Sequence, residues 1–192
     1  MSICAALGYR WDGQRSKLYF QTRDGSYNTP SLVQFLKDLK RELRGPKAVL
    51  VWDGLPAHKS REMKAYLAPQ RDWLVVERLP GYAPDLNPVE TLWGNIKGQE
   101  LANRCAPDLG EVQRAVKEGM ARVRRSRRLP FSFLKHAGLS FLLFCHCIMR
   151  DSVRGLRRML VMPAHELGAA LIRSGSRRLY ARKWLGSGAV FE

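Results

Sequence analysis

Cysteine is scarce and unpatterned. The four residues Cys4, Cys105, Cys145 and Cys147 show no regular spacing, which excludes a disulfide-stapled scaffold, and a chain of this size has no need of staples. Cys145-His146-Cys147 looks like a metal-binding fragment, but no second pair stands at zinc spacing. Long apolar runs are missing too. Leu139–Met149 is too short to span a bilayer, and Met1–Gly8 has no basic stretch ahead of it, so it is not a secretory signal. No membrane partner is expected, and the expected setting is soluble, reducing and intracellular. Acidic residues are the third shortage: 17 Asp and Glu stand against 33 Lys and Arg, leaving a net charge of +16.

That charge is uneven. Residues 1–103 carry 15 basic and 11 acidic side chains, a balance of +4, while residues 104–192 carry 18 and 6, a balance of +12. An arginine-rich genome can raise such a count. Concentration in one half favours contact with a polyanion, nucleic acid above all. Hydrophobic residues make up 45% of the chain, enough for a packed core rather than general disorder.

The pattern along the chain is β-β-α-β-α-β-α-α. Residues 2–9 and 18–21 read as a hairpin around Trp11-Asp12-Gly13-Gln14. Thr29 as cap and Pro30 in the first turn open a helix with Leu32, Phe35, Leu36, Leu39 and Leu43 on one face, ended by Gly45-Pro46. Ala48–Trp52 is a buried strand. Ser60 caps a helix to about Leu67, Trp73–Glu77 is a further strand, and Pro88 starts a helix with Val89, Leu92, Trp93 and Ile96 inward. Asp108 and Glu111 form a capping-box pattern before another helix. Strands alternating with helices after a hairpin predict a mixed α/β sheet with helices on its faces. Beyond about Ser140 the character changes to an arginine-, glycine- and serine-rich tail, with a possible helix at 162–173.

Two acids stand out. Asp53 ends the strand Val49-Leu50-Val51-Trp52, and in parallel sheets ligands collect at such carboxyl ends; Asp-Gly is also an ordinary turn pair. Glu90 lies in the first turn of a helix, three residues after Asn87, and its oxygens can serve either a capping box or a cation. His58, five residues after Asp53, can contact a phosphate or orient a ligand. Lys97 shares a helix face with Glu90 and can meet a phosphate.

Together the stretches Val51-Trp52-Asp53-Gly54-Leu55-Pro56-Ala57-His58-Lys59-Ser60 and Leu79-Pro80-Gly81-Tyr82-Ala83-Pro84-Asp85-Leu86-Asn87-Pro88-Val89-Glu90-Thr91-Leu92-Trp93-Gly94-Asn95-Ile96-Lys97 resemble the catalytic core of DDE-superfamily transposases. The nearest group is the mariner-like transposases of bacterial insertion sequences. The resemblance covers roughly residues 1–140, including Leu134-Lys135-His136-Ala137-Gly138-Leu139, and it favours catalysis over capping for Glu90. It implies a ribonuclease-H-like mixed sheet flanked by helices. It also implies an acidic triad holding two Mg²⁺ or Mn²⁺ ions, of which Asp53 matches the second acid and Glu90 the third. Metal-dependent DNA cleavage and strand transfer would follow, on double-stranded DNA at element ends and target, in the bacterial cytoplasm by the nucleoid.

In that pattern the first acid sits on a strand upstream of the hairpin, and Met1 already stands inside the hairpin. Asp12 and Asp24 belong to turns. The expectation is therefore a partial catalytic domain at 1–140, lacking the first strand, with a basic tail at 141–192. Such a chain would be inactive alone, and unstable unless another segment fills the sheet. It would work with a second copy of itself or with an upstream-frame transposase product. The other reading is a non-catalytic DNA-binding remnant that modulates the full enzyme, with Arg122, Arg124, Arg125, Arg127 and Arg128 on phosphates.

Overall fold

The computed structural model describes residues 1–45, 47–80, 84–139, 156–162, 171–173 and 179–181. The chain runs β1 (Ser2–Arg10), β2 (Ser16–Arg23), α1 (Thr29–Leu43), β3 (Lys47–Trp52), α2 (Pro56–Lys59), α3 (Arg61–Leu67), β4 (Leu74–Arg78), α4 (Pro88–Ile96), β5 (Cys105–Ala106), α5 (Leu109–Arg125), α6 (Leu129–His136), β6 (Leu156–Val161), β7 (Leu171–Arg173) and β8 (Leu179–Ala181). A π-helical turn, Lys97–Leu101, continues α4.

Five strands form one mixed sheet in the order β2-β1-β6-β3-β4. β1 and β2 are the antiparallel hairpin, β6 runs antiparallel to β1 and parallel to β3, and β3 is parallel to β4. The remaining strands pair as β5-β8-β7 in a small second sheet.

Alternation of side chains sorts the core into two layers. Ile3, Ala5, Leu7, Val49, Val51, Met159 and Val161 face one side and meet Val89, Leu92, Trp93 and Ile96 of α4, Val112, Val116 and Met120 of α5, and Phe133 of α6. Cys4, Ala6, Ala48, Leu50, Trp52, Leu160 and Met162 face the other side and meet Leu32, Phe35, Leu36, Leu39 and Leu43 of α1, with Met63 of α3. The strands buried on both faces read as near-continuous apolar runs, as central strands must.

Most expected elements form, with three local differences. Asn28, not Thr29, caps α1: its side chain accepts from the Ser31 amide while the Ser31 hydroxyl accepts from the Asn28 amide, a reciprocal pair that places Thr29 inside the helix. A one-turn helix, α2, stands between Asp53 and the Ser60 cap. In the tail, Leu171–Arg173 is strand rather than helix, its backbone paired with β8.

The largest difference is at the sheet's centre. A gap was expected there unless another segment filled it; β6 lies between β1 and β3, hydrogen-bonded to both. Met159, Leu160, Val161 and Met162 are all buried, so the basic tail supplies four apolar side chains to the core. Gly8 of β1 makes room: a Cβ there would stand 2.8 Å from the Tyr19 ring and 3.1 Å from Leu160 Cδ2. The Cys145-His146-Cys147 fragment and the Gly81-Tyr82-Ala83 part of the loop motif lie outside the described residues.

Candidate functional site

Asp53 leaves the carboxyl end of β3 directly after Trp52. Its Oδ1 accepts from the Leu55 amide at 3.1 Å, an Asx-type turn that bends the chain into α2. The same oxygen lies 3.1 Å from His58 Nδ1. His58 is buried, its side chain 1% exposed, and its ring lies parallel to the Trp52 indole with centroids 4.2 Å apart and planes 6° from coplanar. His58 Nδ1 is also 3.2 Å from the Asp53 carbonyl oxygen. Both neighbours are acceptors, so the proton belongs on Nδ1. Asp53 Oδ2 is buried and has no hydrogen-bond partner among the described residues.

The first turn of α4, which carries Glu90, is fixed to the ends of β3 and β6 by another route. The Met162 amide donates to the Val51 carbonyl at 2.9 Å. The Asn87 side chain then donates to the Met162 carbonyl at 3.1 Å and accepts from the Val89 amide, so the residue that caps α4 also ties it to the end of β6. Glu90 follows in the first turn, its amide donating to the Asn87 carbonyl at 3.0 Å. Pro88 at the first helical position suits this start. Three hydrogen bonds thus connect the strand that delivers Asp53 to the helix that delivers Glu90.

The basic residues lie elsewhere. Lys97 stands where α4 passes into the π-helical turn, about 10 Å along the axis from Glu90. Arg122 is half-buried and engaged with protein groups: it donates to both Glu100 oxygens, at 2.7 and 3.2 Å, and to Asn95 Oδ1 at 2.7 Å. Arg124 lies over the Phe20 ring at 5.7 Å. Arg124, Arg125, Arg127 and Arg128 are exposed at the α5–α6 junction. Two features escaped the sequence reading. One is the Trp52–His58 stack, which no periodicity signals. The other is Lys59, whose ammonium would lie 2.8 Å from any Cβ placed on Gly54; it brings a positive charge against the turn that carries Asp53.

The family profile of the DDE superfamily endonucleases matches residues 8–113, more than half of the chain, and includes Asp53, His58 and Glu90. The chain belongs to that family. No curated protein and no solved structure matches it. A DDE endonuclease acts on DNA, and the family relation makes this a nuclease domain of the transposase kind. The mixed, helix-flanked sheet agrees with such a domain.

A divalent cation suits the residues present. Carboxylate oxygen is the donor that hard cations select, and a buried carboxylate oxygen without a donor calls for a ligand to satisfy it. Among the described residues, no group of three or more His, Cys, Asp or Glu side chains gathers as a metal site. β6, which runs alongside β3 in the same direction, ends at Val161, and among the described residues it brings no acid there.

Proposed function

We propose that this chain is the catalytic domain of a mariner-like DDE transposase from a bacterial insertion sequence, of ribonuclease-H-like topology, in which Asp53 and Glu90 hold Mg²⁺ or Mn²⁺ against DNA. The observation that carries the reading is Asp53 Oδ2, a buried carboxylate oxygen without a donor at the carboxyl end of a parallel strand, within the stretch that matches the endonuclease family.

The chain's own groups do three things. Asp53 presents Oδ2 at the strand end while Oδ1 is occupied by Leu55 and His58. Glu90 is held by the first turn of α4, itself tied to β6 through Asn87. Lys97 and the exposed arginines at the α5–α6 junction attract the DNA backbone, a sequence-independent contact that positions the duplex. When bound, the metal supplies an activated water or 3′-hydroxyl and stabilises the leaving oxygen at phosphorus.

Two carboxylates are a thin ligand set for that chemistry. Charge neutralisation and positioning both weaken when a ligand is lacking, and together they account for most of the rate. The reading is therefore a domain that binds DNA and metal but neither cleaves nor joins DNA as this polypeptide alone. With purified chain and Mn²⁺, no nicking of supercoiled plasmid is expected above background, whereas Mn²⁺ binding is expected and is lost in Asp53→Ala. Robust nicking abolished by Asp53→Ala would overturn the inactivity. Mn²⁺ binding unchanged by both Asp53→Ala and Glu90→Ala would overturn the site.

The exposed arginines support a second role, that of a DNA-binding partner that modulates an intact transposase by occupying its ends. DNA binding that falls steeply with salt and is indifferent to metal marks that role.

A further inference from the structure

We propose that His58 is the positioning residue for Asp53, fixing the carboxylate so that Oδ2 alone faces the metal; this rests on the metal-binding reading of Asp53. The geometry is specific. The two acceptors near Nδ1 both belong to Asp53, its Oδ1 at 3.1 Å and its carbonyl oxygen at 3.2 Å. One imidazole N–H therefore pairs with the backbone carbonyl of Asp53 and stands against the carboxylate of the same residue. A carboxylate free to rotate presents either oxygen to a cation. With Oδ1 accepting from Leu55 and lying 3.1 Å from His58 Nδ1, rotation gives up a hydrogen bond and a close approach to the imidazole N–H, and Oδ2 is left with its lone pairs uncommitted.

The histidine is itself immobilised. It lies flat on Trp52, the last residue of β3, and its ring is carried by the short α2 segment that follows the Asp53 turn. Strand, turn and one-turn helix form a closed loop from Trp52 to His58 and back to Asp53. The rigid sheet thus sets the direction of a side chain that lies beyond its end. This is the role a hydrogen-bonding partner plays behind a metal-ligating group, and removing such a partner weakens metal binding by roughly 10- to 100-fold.

The experiment is an Mn²⁺ titration followed by electron paramagnetic resonance on the full chain, with thermal melting and DNA binding measured alongside. Asp53→Ala sets the level of lost binding. His58→Phe keeps a ring to stack on Trp52 and removes the donor; its Mn²⁺ affinity is expected to fall about 10- to 100-fold while DNA binding, carried by distant arginines, stays unchanged. His58→Asn places an amide donor near the Nδ1 position and is expected to bind Mn²⁺ close to the native affinity. His58→Gln, whose donor lies further out, is expected to behave like His58→Phe. The Asn and Gln pair decides the matter should the Phe variant fail to fold. Equal Mn²⁺ affinity in native protein, His58→Gln and His58→Phe, with Asp53→Ala still defective, overturns the positioning role and leaves the metal site standing. Mn²⁺ binding untouched by Asp53→Ala overturns both.

Discussion

Asp53 and Tyr9 are opposite kinds of buried polar group. Asp53 keeps an oxygen with no donor at the sheet's edge, whereas the Tyr9 hydroxyl donates to the Pro130 carbonyl at 2.8 Å and ties β1 to the start of α6. Burial pushes the Tyr9 phenol well above its usual value of 10.0. Between that value and the higher folded one, the unfolded chain releases the proton and the native protein keeps it. The native state then holds more protons, so stability falls as pH rises past 10. Urea midpoints of Tyr9→Phe are expected to decline less steeply than those of the native protein above pH 10, with the lost hydrogen bond lowering stability by about 1 kcal/mol at neutral pH. At this scale residue type and position offered Asp53, His58 and Glu90 as candidates. That His58 is buried on Trp52 could not be read, because a contact across an irregular six-residue turn has no repeat to betray it. Arg122 was read as one of five arginines on DNA phosphates; its pairing with Glu100 depends on the π-helical turn after α4, which the sequence does not announce.

Elements were legible wherever a period carried them. α1 and α5 display helical apolar faces, and Asp108 accepts from the Glu111 amide at 2.8 Å as the capping pattern requires. Asp108→Ala is expected to lower stability by about 1 kcal/mol through loss of that cap, read as a shift in urea midpoint with unchanged slope. β6 was not legible. Leu156-Arg157-Arg158-Met159-Leu160-Val161 is short and has two arginines in its first half, so composition assigned it to the tail; pairing with β1 and β3, a tertiary effect, makes it a strand. Its fit can be tested from both sides. Leu160→Ala removes a fully buried side chain and is expected to cost about 2–5 kcal/mol. Gly8→Ala pushes a methyl against Tyr19 and Leu160 and is expected to cost about 1–3 kcal/mol. Both are measurable by denaturant unfolding.

For the whole molecule, charge and topology pull on the same segment. Most of the excess positive charge belongs to residues 104–192, yet that half also supplies the middle of the sheet. A chain cut after Leu139 would keep the family-matching stretch and lose β6, leaving β1 and β3 with unpaired backbone edges. Such a fragment is expected to aggregate, seen as early elution in gel filtration and loss of the cooperative melt. The charged surface predicts a separate outcome. Reversing Arg125, Arg127 and Arg128 to Glu is expected to weaken DNA binding uniformly across sequences and to reduce the salt slope by about 0.9 for each phosphate contact removed, with the melt unchanged. The position of β6 also bears on synthesis. During translation the hairpin, β3 and β4 all leave the ribosome before the strand that joins them, so the two halves of the sheet wait unsatisfied until more than 150 residues have been made. Nascent chains in that interval present exposed apolar faces and raw strand edges, so late insertion of β6 is the expected slow step of folding.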